Sequence, residues 1–116
     1  MQSLSVLEFC VLVSIKHVLA VYPDQIAFNF EMAYHEYDKF VSRKAPLFRY
    51  ERPVVMKAWE ALQELELITP VDKGTKIQKE FKHFNLQVTV DQILNVVDTS
   101  APIVVKEWAT SVTFHE

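Results

Sequence analysis

Apolar positions recur at helical spacing through three stretches of this chain and then change to a period of two. In the first stretch Val6, Phe9, Cys10, Val13, His17 and Ala20 share one face, and Leu7, Val11, Ile15 and Val18 form a second apolar strip. That pattern predicts a helix over residues 6–21, opened by a capping box between Ser5 and Glu8 and stopped before Pro23. A helix apolar on two sides must be covered on two sides. Either its own domain wraps it, or one strip meets another domain or subunit. In the second stretch Asn29 can cap a helix over residues 30–43. Phe30, Ala33, Tyr34, Tyr37, Phe40 and Val41 line its inner face, and Glu31, His35, Asp38 and Lys39 the other. Residues 26–28 just before it suit a short edge strand. In the third stretch Pro53 sits where a first helical turn accepts it. Val55, Ala58, Trp59, Leu62 and Leu65 then point inward, and Lys57, Glu60, Ala61 and Glu64 outward.

The period changes at Leu67-Ile68, which begins a strand, with Pro70 at an edge that tolerates it. Lys73-Gly74 marks a turn. Phe84, Leu86, Val88 and Val90 then alternate with Asn85, Gln87 and Thr89, the pattern of a half-buried strand. Asp91 can cap a short helix reaching residue 97. Ser100 and Pro102 can start another reaching residue 109, anchored by Trp108. The expected fold is α+β and mainly helical: a winged helix, that is, a helix–turn–helix followed by a β-hairpin, with two additional C-terminal helices. A single domain over residues 1–116 is expected. Such folds chiefly hold nucleic acid or a partner protein.

Composition supports one packed core, with 50% apolar and 12% aromatic residues in 116. The net charge of −3 excludes a basic arm, but it hides an asymmetry. Residues 43–82 hold nine Lys/Arg against six Asp/Glu, and the rest holds three against nine. Attraction to phosphate must therefore come from the middle of the chain. Cys10, the single cysteine, excludes an intramolecular disulfide and suits a reducing compartment. The apolar run over residues 4–21 is broken by Glu8, Lys16 and His17, so it reads as a buried helix and no membrane association is expected.

Catalytic chemistry finds no footing. His35-Glu36 lacks a second histidine at helical spacing, and one cysteine cannot build a zinc site. One glycine cannot make a phosphate loop. Cys10 and His17 lie two turns apart on one helix, too far for proton transfer. No metal, no cofactor and no catalytic residue are expected, and the chain is not read as an enzyme.

Six segments together carry a family resemblance. They are Leu4-Ser-Val-Leu-Glu8; Phe28-Asn-Phe30 with Tyr34 and Glu36; Phe40-Val41 with Arg43-Lys-Ala45; Pro53-Val-Val-Met-Lys-Ala58; Leu65-Glu-Leu-Ile68-Thr-Pro70; and Trp108-Ala-Thr-Ser111. In order and spacing, over nearly the whole chain, they resemble the C-terminal winged-helix domain of subunit four of the origin recognition complex, of animal type. The resemblance implies a nuclear protein of replication initiation, whose full-length form joins an ATPase domain to this winged helix. It implies that the chain is a C-terminal fragment, with any ATP site in the part not present here. The partners implied are other subunits of the complex, duplex DNA and helicase-loading factors, with the isolated domain a monomer. Three features depart from the family. The stretch 73–79 follows it loosely, Trp59 stands where phenylalanine is expected, and there is no room for the extra base-reading helix of budding-yeast relatives. Sequence-specific origin reading is accordingly not expected.

The residues expected to bind DNA are Arg43, Lys44, Arg49, Arg52, Lys57, Lys73, Lys76 and Lys79, at the start of the third helix and along the wing. Glu60 and Glu64 stand on the helix face that would enter a groove, so backbone contact rather than base reading is expected. The alternative is a protein-interaction module without direct DNA contact, which the acidic flanks and the apolar first helix also suit.

Overall fold

The computed structural model describes residues 4–22, 27–71 and 76–111. Pro23, Ile26 and the Lys73-Gly74 turn lie outside them. Five α-helices are described: α1 (Val6–Val21), α2 (Phe30–Arg43), α3 (Arg52–Glu64), α4 (Val90–Ser100) and α5 (Ile103–Thr110). Two short strands, β1 (Ile68–Pro70) and β2 (Phe84–Leu86), pair antiparallel with Ile68 opposite Leu86 and Pro70 opposite Phe84. The fold is α+β and mainly helical, consistent with a winged helix carrying two extra C-terminal helices.

Local signals set most helix ends. The Ser5 hydroxyl accepts from the Glu8 amide while Glu8 accepts from the Ser5 amide, the reciprocal cap expected from the sequence. The Asn29 side chain accepts from the Met32 amide. α3 ends in a Schellman motif: Leu67 N–H donates to the Leu62 carbonyl and Glu66 N–H to the Gln63 carbonyl. Glu66 takes the left-handed position of that motif with φ 62°, a conformation that costs a non-glycine residue about 1 kcal/mol. The motif reverses the chain within two residues and delivers Ile68 to the sheet.

Several boundaries differ from expectation: α4 runs on to Ser100 instead of ending at residue 97, so Ser100 closes this helix and does not start the next, which Pro102 caps. The alternating run stops at Leu86, and α4 begins at Val90 rather than after Asp91. Its cap is Thr89, which accepts from the Gln92 amide while the Gln92 side chain accepts from the Thr89 amide. The T-x-x-Q cap overlaps the end of the alternation at Thr89 and Val90, and a doubly bonded cap outcompetes an unpaired strand end. Of the edge strand expected at residues 26–28, the described residues 27 and 28 hold one bridge, at Phe28. Phe28 and Phe84 exchange both backbone hydrogen bonds, at 3.1 and 2.7 Å, which sets β2 between Phe28 and β1.

α1 is the central helix, packed by α2, α3, α4 and α5. Cys10, Val13 and Ile15 are 0% exposed, and Val11 and Val18 are also buried. Between Phe9 and Val18 both apolar strips are therefore covered within the chain, with Val6 and Leu7 half-buried and Ala20 exposed at the ends, so no continuous apolar strip is left for another domain or subunit. The cover comes from α4 and α5, which supply Ile93, Val97, Val105 and Ala109 to the same core. Burial pushes the Cys10 thiol up to about 12, so it packs as an unreactive apolar group.

Trp59 of α3 holds the other side of the core. Its ring makes edge-on contacts with Phe28, Phe30 and Phe84 at 5.8, 5.7 and 5.3 Å, each such pair adding about 0.5–1.5 kcal/mol beyond area burial. These contacts join α3, α2 and the sheet and so fix the angle between α3 and the hairpin. Trp108 of α5 is the anchor expected of it, stacked on Phe40 at 3.9 Å and on His17 at 5.2 Å.

Candidate nucleic-acid interface

The helix–turn–helix is built by α2, the turn 44–51 and α3. Tyr37 pins the turn from within: its hydroxyl donates to the Phe48 carbonyl at 2.5 Å and accepts from the Tyr50 amide at 2.9 Å. Burial is the main reason its phenol is pushed up to about 12. Five of the eight expected basic residues belong to this unit. Arg43 and Lys44 end α2 and are exposed, Arg49 lies in the turn, and Arg52 and Lys57 are on α3.

These five are not equivalent. Arg49 pairs with Asp38 at 3.7 Å. Arg52 turns back toward α2, where its guanidinium pairs with Glu31 and lies 5.2 and 5.0 Å from the ring centres of Phe30 and Tyr34. That stacking uses the flat cation against two aromatic faces and fastens the start of α3 to the start of α2. Lys57 remains exposed on the outward face of α3, where Glu60 and Glu64 follow it at spacings of three and seven.

The hairpin meets that face. Lys79, in the 3-10 turn Lys79–Phe81, lies 3.7 Å from Glu60. Since Lys57 and Glu60 are one turn apart, Lys57 and Lys79 stand on one surface with a carboxylate between them. Lys76 is exposed on the same hairpin arm. Lys73 lies outside the described residues. Lys82 was not among the expected residues, although it lines the cleft between α3 and the hairpin. Its signal was available: it is the last cation before the strand, and one turn of chain beyond Lys79.

The start of α3 is a poor phosphate cradle. Pro53 has no amide hydrogen, and the Val54 and Val55 amides both donate to the Glu51 carbonyl at 3.0 and 3.1 Å. Affinity for a polyanion must then come from side chains. Among the described residues no group of three His, Cys, Asp or Glu side chains converges as a metal site.

Fold and charge together define a mainly helical α+β domain with a basic helix–turn–helix and a basic hairpin beside it. Residues 1–97 match the family described as origin recognition complex (ORC) subunit 4 C-terminus. The chain is 43% identical over 112 residues to origin recognition complex subunit 4 of Mus musculus and equally to that of Homo sapiens, covering 93% of this chain. It is 37% identical over 115 residues to the Xenopus laevis protein of that name, covering 96% of this chain. The chain belongs to the ORC subunit 4 C-terminal family. It spans about a quarter, 26%, of the length of these relatives.

Proposed function

We propose that this domain serves an origin recognition complex in replication initiation in the nucleus. There it contacts the backbone of duplex DNA weakly and without sequence preference while packing against other subunits, and it works alongside helicase-loading factors. It is the C-terminal module of a longer subunit whose ATPase domain lies elsewhere in that protein, and it carries out no reaction of its own.

The observation that supports DNA contact best is the shared surface of Lys57 on α3 and Lys79 on the hairpin, with Lys76 on the same arm. Lys44 and Arg43 extend the positive charge to the end of α2. Arg49 and Arg52, each held by a carboxylate, orient the turn and the helix start as much as they add charge. Glu60 and Glu64 face the same way as Lys57 and disfavour deep entry into a groove. With about four phosphates neutralised, log affinity falls with log salt at a slope of about −3 to −4, and the dissociation constant lies at about 10⁻⁴ to 10⁻⁶ M.

The test is titration of labelled duplex at low salt with the parent chain and with Lys44→Glu/Lys57→Glu/Lys76→Glu, all exposed positions. A drop of tenfold or more, equal across unrelated sequences, is expected. Equal binding by both proteins refutes the assignment to this face. The ion pairs at Arg49, Arg52 and Lys79 favour a second reading, an interaction module with no DNA contact. A parent chain that shows no salt-dependent binding supports it.

A further inference from the structure

Phe81 is the one exposed phenylalanine among the described residues, 48% accessible, whereas Phe84 three residues on is 3%. It closes the 3-10 turn Lys79–Phe81, where its amide donates to the Gln78 carbonyl at 3.0 Å. The chain just beyond it is held. The His83 carbonyl accepts from the Val71 amide at 2.9 Å, and Phe84 bridges Phe28. The ring therefore stands on an anchored arm, and among the described residues it stacks on no other aromatic side chain.

Its company is lysine. Residues 76–82 hold Lys76, Lys79 and Lys82 against one acid, Glu80. Side chains three apart eclipse in a 3-10 turn, and Lys79 and Lys82 do line one cleft. Phe81 is offset from that row, so the arm presents ammonium groups in line with a ring beside them. Glu60 meets Lys79 at 3.7 Å, both exposed, a weak pair. Lys76 and Lys82 have no carboxylate in ion-pair contact among the described residues.

Two considerations choose the occupant. Protein interfaces are depleted in lysine and favour arginine as their cation, whereas the lysine ammonium is a usual point contact for phosphate. A phenylalanine among phosphate-binding groups has one apolar surface to meet, the π-face of a base. In a duplex both faces of each base are already stacked, and freeing one costs unstacking. In an unpaired strand the face is open, and every base has one.

We propose that Phe81 and these lysines form a site for single-stranded DNA: one base stacks on the Phe81 ring while the neighbouring phosphates follow Lys76, Lys79 and Lys82. The site rests on the DNA reading above and adds to it a contact that paired bases cannot make. Base sequence matters little to it, because stacking reads no hydrogen-bonding edge.

The test titrates three fluorescein-labelled probes with the 116-residue chain at low salt, read by anisotropy. They are a single strand of about 12 nucleotides, an abasic phosphodiester strand of equal length, and the duplex of the first strand. The base-bearing strand is expected to bind about tenfold or more tightly than the abasic one, the effect of one stacked base. Phe81→Ala, at an exposed position and with an unchanged thermal melt, removes that difference and leaves abasic and duplex affinity as they were. Phe81→Trp keeps the difference, and the fluorescence of the new indole is quenched by the base-bearing strand alone. Lys76→Gln/Lys82→Gln flattens the salt slope for the single strand by about 1.4, or about 0.7 for each lysine, and leaves the dependence on bases intact. Equal affinity for the base-bearing and abasic strands, or a difference that survives Phe81→Ala, overturns this proposal while duplex binding still supports the reading above. Failure of all three probes to bind overturns both.

Discussion

Lys16 and His17 on α1 and Lys57 on α3 with Lys79 on the hairpin are basic side chains in two different settings. Lys16 donates to the Ala109 carbonyl at 2.6 Å, and His17 Nε2 bonds the Trp108 carbonyl at 2.9 Å. Both carbonyls belong to the last turn of α5, where orphan acceptors and the negative end of the helix dipole favour such donors. Burial lowers the affinity of both side chains for a proton, and for His17 the bond to Trp108 offsets this only in part. These groups tie helices together. Lys57 and Lys79 are exposed, and Lys79 meets only the solvated carboxylate of Glu60, at the 3.7 Å of a weak pair. The difference teaches that depth, not residue type, separates a cation that holds the fold from one available to a polyanion.

Trp108→Ala should break the α1–α5 side most. It removes the stack on Phe40 and on His17 and should cost about 3 kcal/mol in urea denaturation. A loss below about 1 kcal/mol would show that α5 adds little to the core. On the other side, Tyr37→Phe removes a hydroxyl bonded to both Phe48 and Tyr50 and should cost about 1–2 kcal/mol. Duplex affinity per folded molecule should change little if the cations, and not the turn, set binding.

His17 gives a pH signature. Its folded-state affinity for protons is below that of the unfolded chain, so the unfolded state binds the extra proton. Stability from this group is complete above the ordinary histidine value of about 6.5 and is lost as pH falls from there through the folded value. The slope from one group is at most about 1.4 kcal/mol per pH unit. His17→Gln should flatten the parent's stability profile below pH 6.5. An unchanged profile would place the acid sensitivity in other groups. The smallest effect on stability belongs to Glu60→Gln, within about 0.5 kcal/mol, because the pair it breaks is exposed. The same change should raise duplex affinity a few-fold by releasing Lys79, and a fall would contradict the placement of DNA on this face.

The ends of α1 and α2 were legible because their caps are local: a hydroxyl or amide three residues from its partner amide needs no tertiary contact. The inward set on α3 was legible for Val55, Ala58, Trp59 and Leu62, while Leu65 proved exposed at the turn and Met56 proved buried. Leu65 falls past the last helical turn, where the Schellman reversal swings it outward. Lys82 was legible as the last cation before the strand, but its place beside α3 is decided only when the hairpin folds against that helix.

By itself, then, the order of residues determined the helices, the change of period that makes the hairpin, the family, and a basic middle between acidic flanks. These depend on spacing and composition over a few turns of chain. Only the tertiary structure decided that α1 is covered on both strips, that Arg52 folds onto Phe30, Tyr34 and Glu31, and that Lys79 meets Glu60. Those outcomes rest on contacts between residues distant in the chain, and a charged side chain's choice among nearby carboxylates, aromatic rings and solvent is set by which of them the packed helices bring within reach.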